Sequence, residues 1–481
     1  MPRACVVEEK IVTGRHEALQ RSKNFETGLL VAQVGGKLDT LLHFAPTPEQ
    51  EGGQAGVLDA EWMLEHAAQV ARMLPGGLAV IGCYLFAAGS KKVTSEATLL
   101  PLLSTLAKRL DPSVAERQAL LLLMPSDAKK VTCRALSAAA PTKMQPFELK
   151  MSHAPPQLCC FSADWAIDEQ LTLRTAASAA AQRAQLAAQL KPASELLAAA
   201  VATVGGALTS PGQLVSSLAA GCGSVEQPHS VALFSAEATP LPPPTADDAA
   251  AAAAVRLVGV VHGRAFVSPK DDVASALAAL KRDLTSSLSA RLSLLFENLE
   301  EEEEEEEGGG AIDIDESGTH QLPRRAHVSV PGVPFSVCDY LAADDEPTDC
   351  AERLSALLSL SLPMDDADAD ALLGPEASAR TLLSVAPAAP RDKGGAPASR
   401  ATPPVESAKA NGGKGSGGLS PAVIMLLVAL LVAVVAVAFA MMGGGGGAEQ
   451  AAVQARFDMA PESAAEAVGE QSAGAAEEAT A

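Results

Sequence analysis

Apolar side chains recur every three to four residues between positions 59 and 74, and this spacing predicts an amphipathic helix. Asp59 precedes the helix as its predicted N-cap, because its carboxylate can accept hydrogen bonds from the free backbone N–H groups of the first turn. Trp62 and His66 lie on the predicted apolar face. A histidine in such a position is most simply interpreted as a hydrogen-bonded core residue.

An abrupt end and a buried strand follow this helix. Pro75 cannot continue the helix, and Gly76 and Gly77 provide the backbone freedom for a C-terminal turn. Residues 78–86 are continuously apolar, which is typical of a strand buried on both faces. The sequence therefore predicts a helix–turn–strand unit at the centre of the first half of the chain.

The surrounding pattern predicts an α/β or α+β domain over residues 1–170 with a mostly continuous sheet. Helical spacing is found again at residues 97–110. The predicted strands are residues 6–9, 28–34, 37–44, 118–124 and 129–136.

The second half is less regular. Residues 171–254 form an Ala/Pro-rich low-complexity segment, within which residues 176–207 have helical potential. Residues 255–362 predict a second α+β segment, in which Ser268 and Pro269 are expected to start a long helix with a leucine stripe. Eight consecutive glutamates at 300–307 interrupt this segment as a solvated insertion. Two short strands within residues 326–341 and a short helix within 352–362 complete it.

Residues 363–418 have the composition of a disordered tether, and residues 419–442 predict a transmembrane helix. This run begins at Leu419, ends at Met442 and contains no charged residue. Basic residues are concentrated before it, so the positive-inside rule predicts a single-pass protein whose N-terminal bulk is cytosolic. The Gly/Ala/Glu-rich residues 443–481 are then a disordered luminal tail, and the endoplasmic reticulum is the expected membrane.

Composition and motifs point away from several classes of function. The net charge of −22 and the lack of a basic stripe argue against nucleic-acid binding. The eight cysteines have no regular spacing, which predicts reduced thiols rather than a disulfide framework. Neither a nucleotide-binding loop nor a nucleophile elbow is found in the sequence, so no catalytic residue and no cofactor is predicted.

The order of strand, strand, helix and buried strand resembles an MPN domain. In catalytic members of that fold, a His-x-His pair follows the counterpart of residues 81–84 and binds zinc together with downstream residues. Here the corresponding positions are Leu85, Phe86, Ala87 and Ala88. The resemblance therefore implies an MPN-like domain without metal ligands, and a metalloprotease remains only a remote alternative.

A more specific resemblance is to the odorant-response-abnormal protein four family. Its candidate scaffold residues here are Asp59, Trp62, His66, Pro75, Gly76, Gly77 and Gly82. The matching stretches are residues 6–9, 28–33, 58–82, 280–285, 294–299 and 330–340.

This resemblance implies a non-enzymatic, membrane-anchored adaptor in membrane-protein biogenesis. Its clients would be G-protein-coupled receptors, whose folding, trafficking or ciliary localisation it would support. The alternative that the resemblance implies is an endoplasmic-reticulum anchor and cofactor of the cysteine protease specific for the ubiquitin-fold modifier. In either case the expected partner is a protein, either that protease or an MPN-bearing subunit.

Overall fold

A computed structural model describes fifteen stretches of the chain. They are residues 4–22, 24–36, 38–50, 58–87, 96–109, 118–126, 131–137, 140–174, 179–218, 221–235, 252–305, 319–343, 345–361, 374–376 and 380–385. The contacts divide the chain into two units, Met1–Arg391 and Asp392–Ala481, and the described residues belong to the first.

The described part of the chain contains six α-helices and seventeen strands. The helices are α1 (Glu9–Ser22), α2 (Ala60–Met73), α3 (Glu96–Arg109), α4 (Ala179–Ala199), α5 (Val273–Glu305) and α6 (Pro347–Leu358). The strands of the first half are β1 (Ala4–Glu8), β2 (Glu26–Val34), β3 (Leu38–Pro46), β4 (Leu78–Ala87), β5 (Gln118–Pro125), β6 (Thr132–Ser137), β7 (Ala140–Phe147) and β8 (Leu149–Ser152). The second half contributes β9 (Cys159–Arg174), β10 (Val201–Val204), β11 (Ala207–Leu208), β12 (His229–Phe234), β13 (Ala252–Val267), β14 (Thr319–Gln321), β15 (Arg324–Ser329), β16 (Ser336–Leu341) and β17 (Leu382–Val385).

The first eight strands form one mixed sheet in the order β7-β6-β5-β4-β2-β3-β1-β8. The predicted hairpin of β2 and β3 is present, and β4 pairs antiparallel with β2 and parallel with β5. Gly82 permits the close approach of β5, because a Cβ at this position would lie 1.9 Å from the carbonyl oxygen of Leu120. The mixed α/β architecture expected from the sequence is confirmed.

A second sheet has the order β11-β10-β12-β9-β13-β17-β14. Its centre is the long antiparallel pair of β9 and β13, which is covered by α4 and by the leucine stripe of α5. The separate hairpin of β15 and β16 joins α2, α3 and α6 in the apolar core of the first sheet. Later segments of the chain therefore complete the core of the first half.

Three expectations about local structure need correction. Residues 9–22, for which no helix is predicted, form α1; it is a polar helix that buries little beyond Val12, His16 and Leu19. Residues 171–254, interpreted from composition as low-complexity, include three strands of the second sheet that were not predicted, while α4 lies within the stretch 176–207 that was expected to be helical. The tether predicted from residue 363 includes β17, which pairs with β13, so its predicted start is wrong for this stretch.

The long helix begins later than expected. Ser268 and Pro269 precede it in a turn, and α5 starts at Val273. Asp272 acts as the cap, since its carboxylate accepts a 2.7 Å hydrogen bond from the backbone N–H of Ser275.

The predicted membrane span lies outside the described residues, as do Leu419 and Met442 at its ends. Among the residues that are described, no helix combines the length and the apolar character that crossing a membrane requires.

Candidate functional site

The predicted turn between α2 and β4 contacts the second sheet directly. Gly76 donates its N–H to the carbonyl of Arg264 at 3.0 Å and accepts from the N–H of Phe266 at 2.8 Å. Gly77 has φ +79° and accepts from the N–H of Val34 at 2.8 Å. Glycine suits this position because it adopts positive φ readily. The turn therefore joins β13 to the end of β2.

A buried ion pair lies beside this turn. Arg325 on β15 donates from Nη1 and Nη2 to the two carboxylate oxygens of Asp283 on α5, at 2.8 and 3.0 Å. Both side chains are 2% exposed. Asp283 also accepts from the backbone N–H of Arg264 at 2.9 Å, so its carboxylate links α5, β13 and β15.

Glu376 joins the same region from a segment beyond the predicted second domain. Its carboxylate accepts from the guanidinium of Arg291, from the N–H of Arg325 at 2.7 Å and from the N–H of His262 at 3.1 Å. Glu376 is fully buried, so these three donors replace its lost hydration. We call Asp283, Arg291, Arg325 and Glu376 the junction cluster.

A cysteine–histidine contact borders the junction cluster. Cys338 Sγ lies 3.3 Å from Nδ1 of His327, and the ring of His327 meets that of His262 edge-on at 5.2 Å. Burial is the main cause that raises the pKa of Cys338, to about 12, and that lowers the pKa of His327 well below its usual value, with Arg325 adding to the latter effect. Both groups are therefore neutral near pH 7, and the thiol lacks the thiolate character that a nucleophile needs.

A cavity of about 310 Å³ opens next to the turn, between α2 and α5. Arg325 and Tyr340 border it from the hairpin of β15 and β16. The remaining residues that line it come mainly from α2, the turn, the start of β4 and α5; they are Val34, Ala67, Ala68, Ala71, Arg72, Leu74, Pro75, Gly76, Gly77, Leu78, Ala79, Val80, Leu106, Ala279, Arg282, Asp283, Ser286, Ser287 and Ala290.

Three other predicted scaffold residues cap the N-terminus of α2 or connect this helix to neighbouring segments. Asp59 caps the helix by accepting from the N–H groups of Glu61 and Trp62 at 2.9 and 3.0 Å. Trp62 donates its indole N–H to the carbonyl of Pro48 at 2.8 Å. His66 contacts the carbonyl of Leu357 at 2.7 Å and therefore connects α2 to the C-terminal end of α6.

The end of β4, where the predicted MPN resemblance would place the first metal ligands, is apolar here. Leu85 and Phe86 are both buried, at 3% and 0% exposure. Within the described stretches, no group of three or more His, Cys, Asp or Glu side chains is placed to hold a metal ion. Cys83 is buried in β4 with its pKa raised to about 12 by burial, and His66 is bonded to α6 rather than to this thiol.

The structure brings Pro75, Gly76 and Gly77 to the cavity, whereas the other predicted scaffold residues, Asp59, Trp62, His66 and Gly82, do not line it. Sequence reasoning missed the junction cluster. A signal was available: Asp283, Ser287 and Arg291 recur at steps of four, beside the leucines of α5. A polar column next to an apolar stripe indicates buried polar partners on other segments.

A known protein family matches most of the chain. The family model described as "ODR4-like: Odorant response abnormal 4-like" matches residues 28–369, a range that includes both sheets' central strands, α5 and the hairpin of β15 and β16. The chain belongs to the ODR4-like family. The family resemblance inferred from the sequence is thereby confirmed, and the MPN-like detail stays a prediction.

Members of this family are similar to this chain over most of their own length. Protein odr-4 homolog of Xenopus laevis is 25% identical over 396 residues, covering 76% of this chain and 86% of the relative. Protein odr-4 homolog of Mus musculus is 25% identical over 398 residues, covering 76% and 85%. Among solved structures, UfSP from C. elegans is similar with a TM-score of 0.40 and 11% identity, over 75% of this chain and 57% of that one.

Proposed function

We propose that this member of the ODR4-like family is a non-enzymatic, membrane-anchored adaptor in the biogenesis of membrane proteins. The observation that carries the proposal is the match of the ODR4-like family model over residues 28–369. The clients would be G-protein-coupled receptors, and the adaptor would support their folding, trafficking or ciliary localisation.

The described chemistry agrees with a binding role. Leu85 and Phe86 fill the end of β4 with apolar side chains, and the thiols of Cys83 and Cys338 are protonated near pH 7 because burial raises their pKa. The many hydrogen bonds between distant segments hold a fixed surface, which is what an adaptor must present to a partner.

A receptor-delivery experiment tests the role and its dependence on the anchor. Cells that lack the protein receive either the full chain or residues 1–418, and receptor at the ciliary or plasma membrane is measured by surface labelling. We expect only the full chain to restore delivery, because the predicted span at 419–442 would place the adaptor beside its client. A chain whose residues 419–442 are exchanged for an unrelated apolar span is the matched control and should also restore delivery. Normal delivery by residues 1–418 would rule out the anchored adaptor.

The partner would be the cysteine protease specific for the ubiquitin-fold modifier, or an MPN-bearing subunit, and the protein would then also anchor that protease at the endoplasmic reticulum. Affinity purification of the tagged full chain from mild detergent, followed by mass spectrometry, tests this part. We expect the protease or an MPN-bearing protein to be enriched over the background recovered with a tagged residue 419–481 fragment, which keeps the predicted span but lacks the folded part of the chain. Recovery of neither would contradict the partner assignment while leaving the receptor experiment unaffected.

A further inference from the structure

The cavity between α2 and α5 has the size of a small-molecule site. Its volume of about 310 Å³ is at the lower end of the range of about 300–1,000 Å³ found for ligand pockets. Short side chains face it from both helices, which leaves the space between them open. They are Ala67, Ala68 and Ala71 from α2, and Ala279, Ser286 and Ala290 from α5.

The polar groups at the cavity favour an anion. Arg325 is buried, and its Nη1 and Nη2 bind Asp283, but its Nε has no hydrogen-bond partner among the residues that the structure describes. A buried donor without an acceptor is unfavourable, and such groups in native structures are usually satisfied by a protein atom, a water molecule or a ligand.

The balance of charge around the cavity is also positive. Arg72, Arg282 and Arg325 line it, whereas Asp283 is the single acidic residue among the described lining residues. The carboxylate of Asp283 already accepts from the guanidinium of Arg325 and from a backbone N–H of β13. Arg72 pairs with Glu297, but Arg282 is exposed and has no ion-pair partner in the described part of the chain.

The rest of the wall is apolar, with Leu74, Leu78, Val80 and Leu106 among its residues. The volume of about 310 Å³ has room for a small organic molecule rather than for a drug-sized ligand.

We propose that this cavity binds a carboxylate carried on a small apolar body. The carboxylate is recognised by the positive charge of Arg325 and Arg282, and the apolar body packs against the leucine and alanine side chains of α2, α3 and β4. Ionised acceptors form hydrogen bonds to guanidinium that are roughly twice as strong as neutral ones, so charge should dominate the recognition.

Two probes of equal size test the role of charge. 4-Fluorophenylacetate and 4-fluorophenylacetamide differ in the ionised group alone, and each can be titrated by fluorine NMR against the full chain in lipid nanodiscs. We expect the acid to bind at least about tenfold more tightly than the amide, which is the discrimination typical of one charge-assisted contact. Equal affinity for the two probes, or no binding of either, would overturn the proposal.

A cavity-filling variant locates the binding. Ala71→Leu places a larger side chain at the cavity from an exposed position of α2, where leucine is a good helix former and folding should be preserved. Ala187→Leu makes the same change at an exposed position of α4 that does not line the cavity. We expect Ala71→Leu to reduce the affinity for the acid at least tenfold and Ala187→Leu to leave it unchanged. Equal effects of the two variants would contradict binding in this cavity.

The same chemistry occurs in a free acid and at the C-terminal residue of a polypeptide, and a second pair of probes separates these sources. N-acetylphenylalanine and its amide, which carry no fluorine, are titrated by their displacement of 4-fluorophenylacetate in the fluorine NMR spectrum, and Arg282→Gln is the variant that removes the exposed charge. Tighter binding of N-acetylphenylalanine than of the fluorinated acid identifies a chain terminus, and the reverse order identifies a free acid. In both cases Arg282→Gln should weaken the acid several-fold and leave the amide unchanged; an equal effect on acid and amide would overturn recognition by charge.

Discussion

Two arginine–aspartate pairs in this protein have the same number of hydrogen bonds, of nearly the same length, in opposite surroundings. Arg325 and Asp283 form two hydrogen bonds of 2.8 and 3.0 Å in the junction cluster, where both side chains are 2% exposed. Arg256 and Asp168 form two hydrogen bonds of 2.8 Å across β13 and β9, where the side chains are 49% and 60% exposed.

The number and length of its hydrogen bonds alone do not determine what an ion pair contributes to stability. Water solvates and screens the exposed pair whether or not its members touch, so its net contribution is small. The buried pair has given up that hydration, and removal of one partner leaves a charge without compensation. The junction therefore depends on its ion pair, whereas the outer face of the second sheet does not depend on its own.

The largest expected effect comes from Asp283→Asn. This change keeps the size of the side chain but removes the charge opposite Arg325, which is fully buried. We expect the free energy of unfolding to fall by about 3–5 kcal/mol, as is typical when one member of a buried pair is lost. Urea unfolding of the full chain, followed by circular dichroism, measures the change.

The double variant Asp283→Leu with Arg325→Met is the control for this prediction. It removes both charges and leaves apolar side chains, so it should be more stable than Asp283→Asn. A loss of less than about 1 kcal/mol for Asp283→Asn would contradict the importance given to the buried pair.

The second-largest expected effect is the loss of stability when a glycine at the junction, rather than one at the surface, is replaced by alanine. Gly77 and Gly212 both have positive φ, at +79° and +72°. A Cβ at Gly77 would lie 2.1 Å from the carbonyl oxygen of Phe266, whereas a Cβ at Gly212 would meet no atom of the described residues within 4 Å. Backbone strain alone costs about 1–3 kcal/mol, so Gly212→Ala should lose that amount and Gly77→Ala clearly more. Equal losses in urea unfolding would show that the contact with β13 is unimportant.

The parts of this fold that the sequence predicts well are encoded by neighbouring residues. Asp59 lies three residues before Trp62, from whose backbone N–H it accepts, and Pro75, Gly76 and Gly77 are contiguous in the chain. The leucine stripe of α5 repeats at fixed spacing, and all of these features were recognisable from local pattern alone.

The parts that could not be predicted depend on contacts between distant residues. Glu376 binds Arg291 across 85 positions, and Gln33 donates to Asp271 across 238 positions at 3.0 Å. Composition and periodicity contain no information about which distant charge compensates which. The cavity could not be predicted either, because its walls come from α2, α5 and, through Arg325, a third distant segment.

The third effect concerns buried groups that are neutral rather than charged. His66 and His43 contact the carbonyls of Leu357 and Leu358 at 2.7 Å and so hold the end of α6. Burial lowers the pKa of each histidine, although the hydrogen bond to the carbonyl partly opposes this. In the unfolded chain a histidine takes up its proton below about pH 6.5, so stability should be lost as the pH falls below that value, by up to about 1.4 kcal/mol per pH unit for each group.

Gln can still donate to the carbonyl that His66 contacts but takes up no proton. His66→Gln should therefore reduce the slope of unfolding free energy against pH between about 6.5 and 5, and the double variant with His43→Gln should reduce it further. Urea titrations at several pH values measure the slope. An unchanged slope in the double variant would mean that these buried histidines are not the acid-sensitive groups.

The smallest expected loss of stability comes from a change in the exposed pair of Arg256 and Asp168. Arg256→Ala removes both hydrogen bonds to Asp168, yet both side chains remain accessible to water before and after the change. We expect no resolvable shift in the midpoint of thermal unfolding, and any small shift should disappear in 0.5 M salt, because ions screen exposed charges over about 5 Å at that concentration. If Arg256→Ala destabilised the protein as much as Asp283→Asn does, burial would not be what distinguishes the two pairs. The number and length of the hydrogen bonds, which the pairs share, would then predict their contribution to stability better.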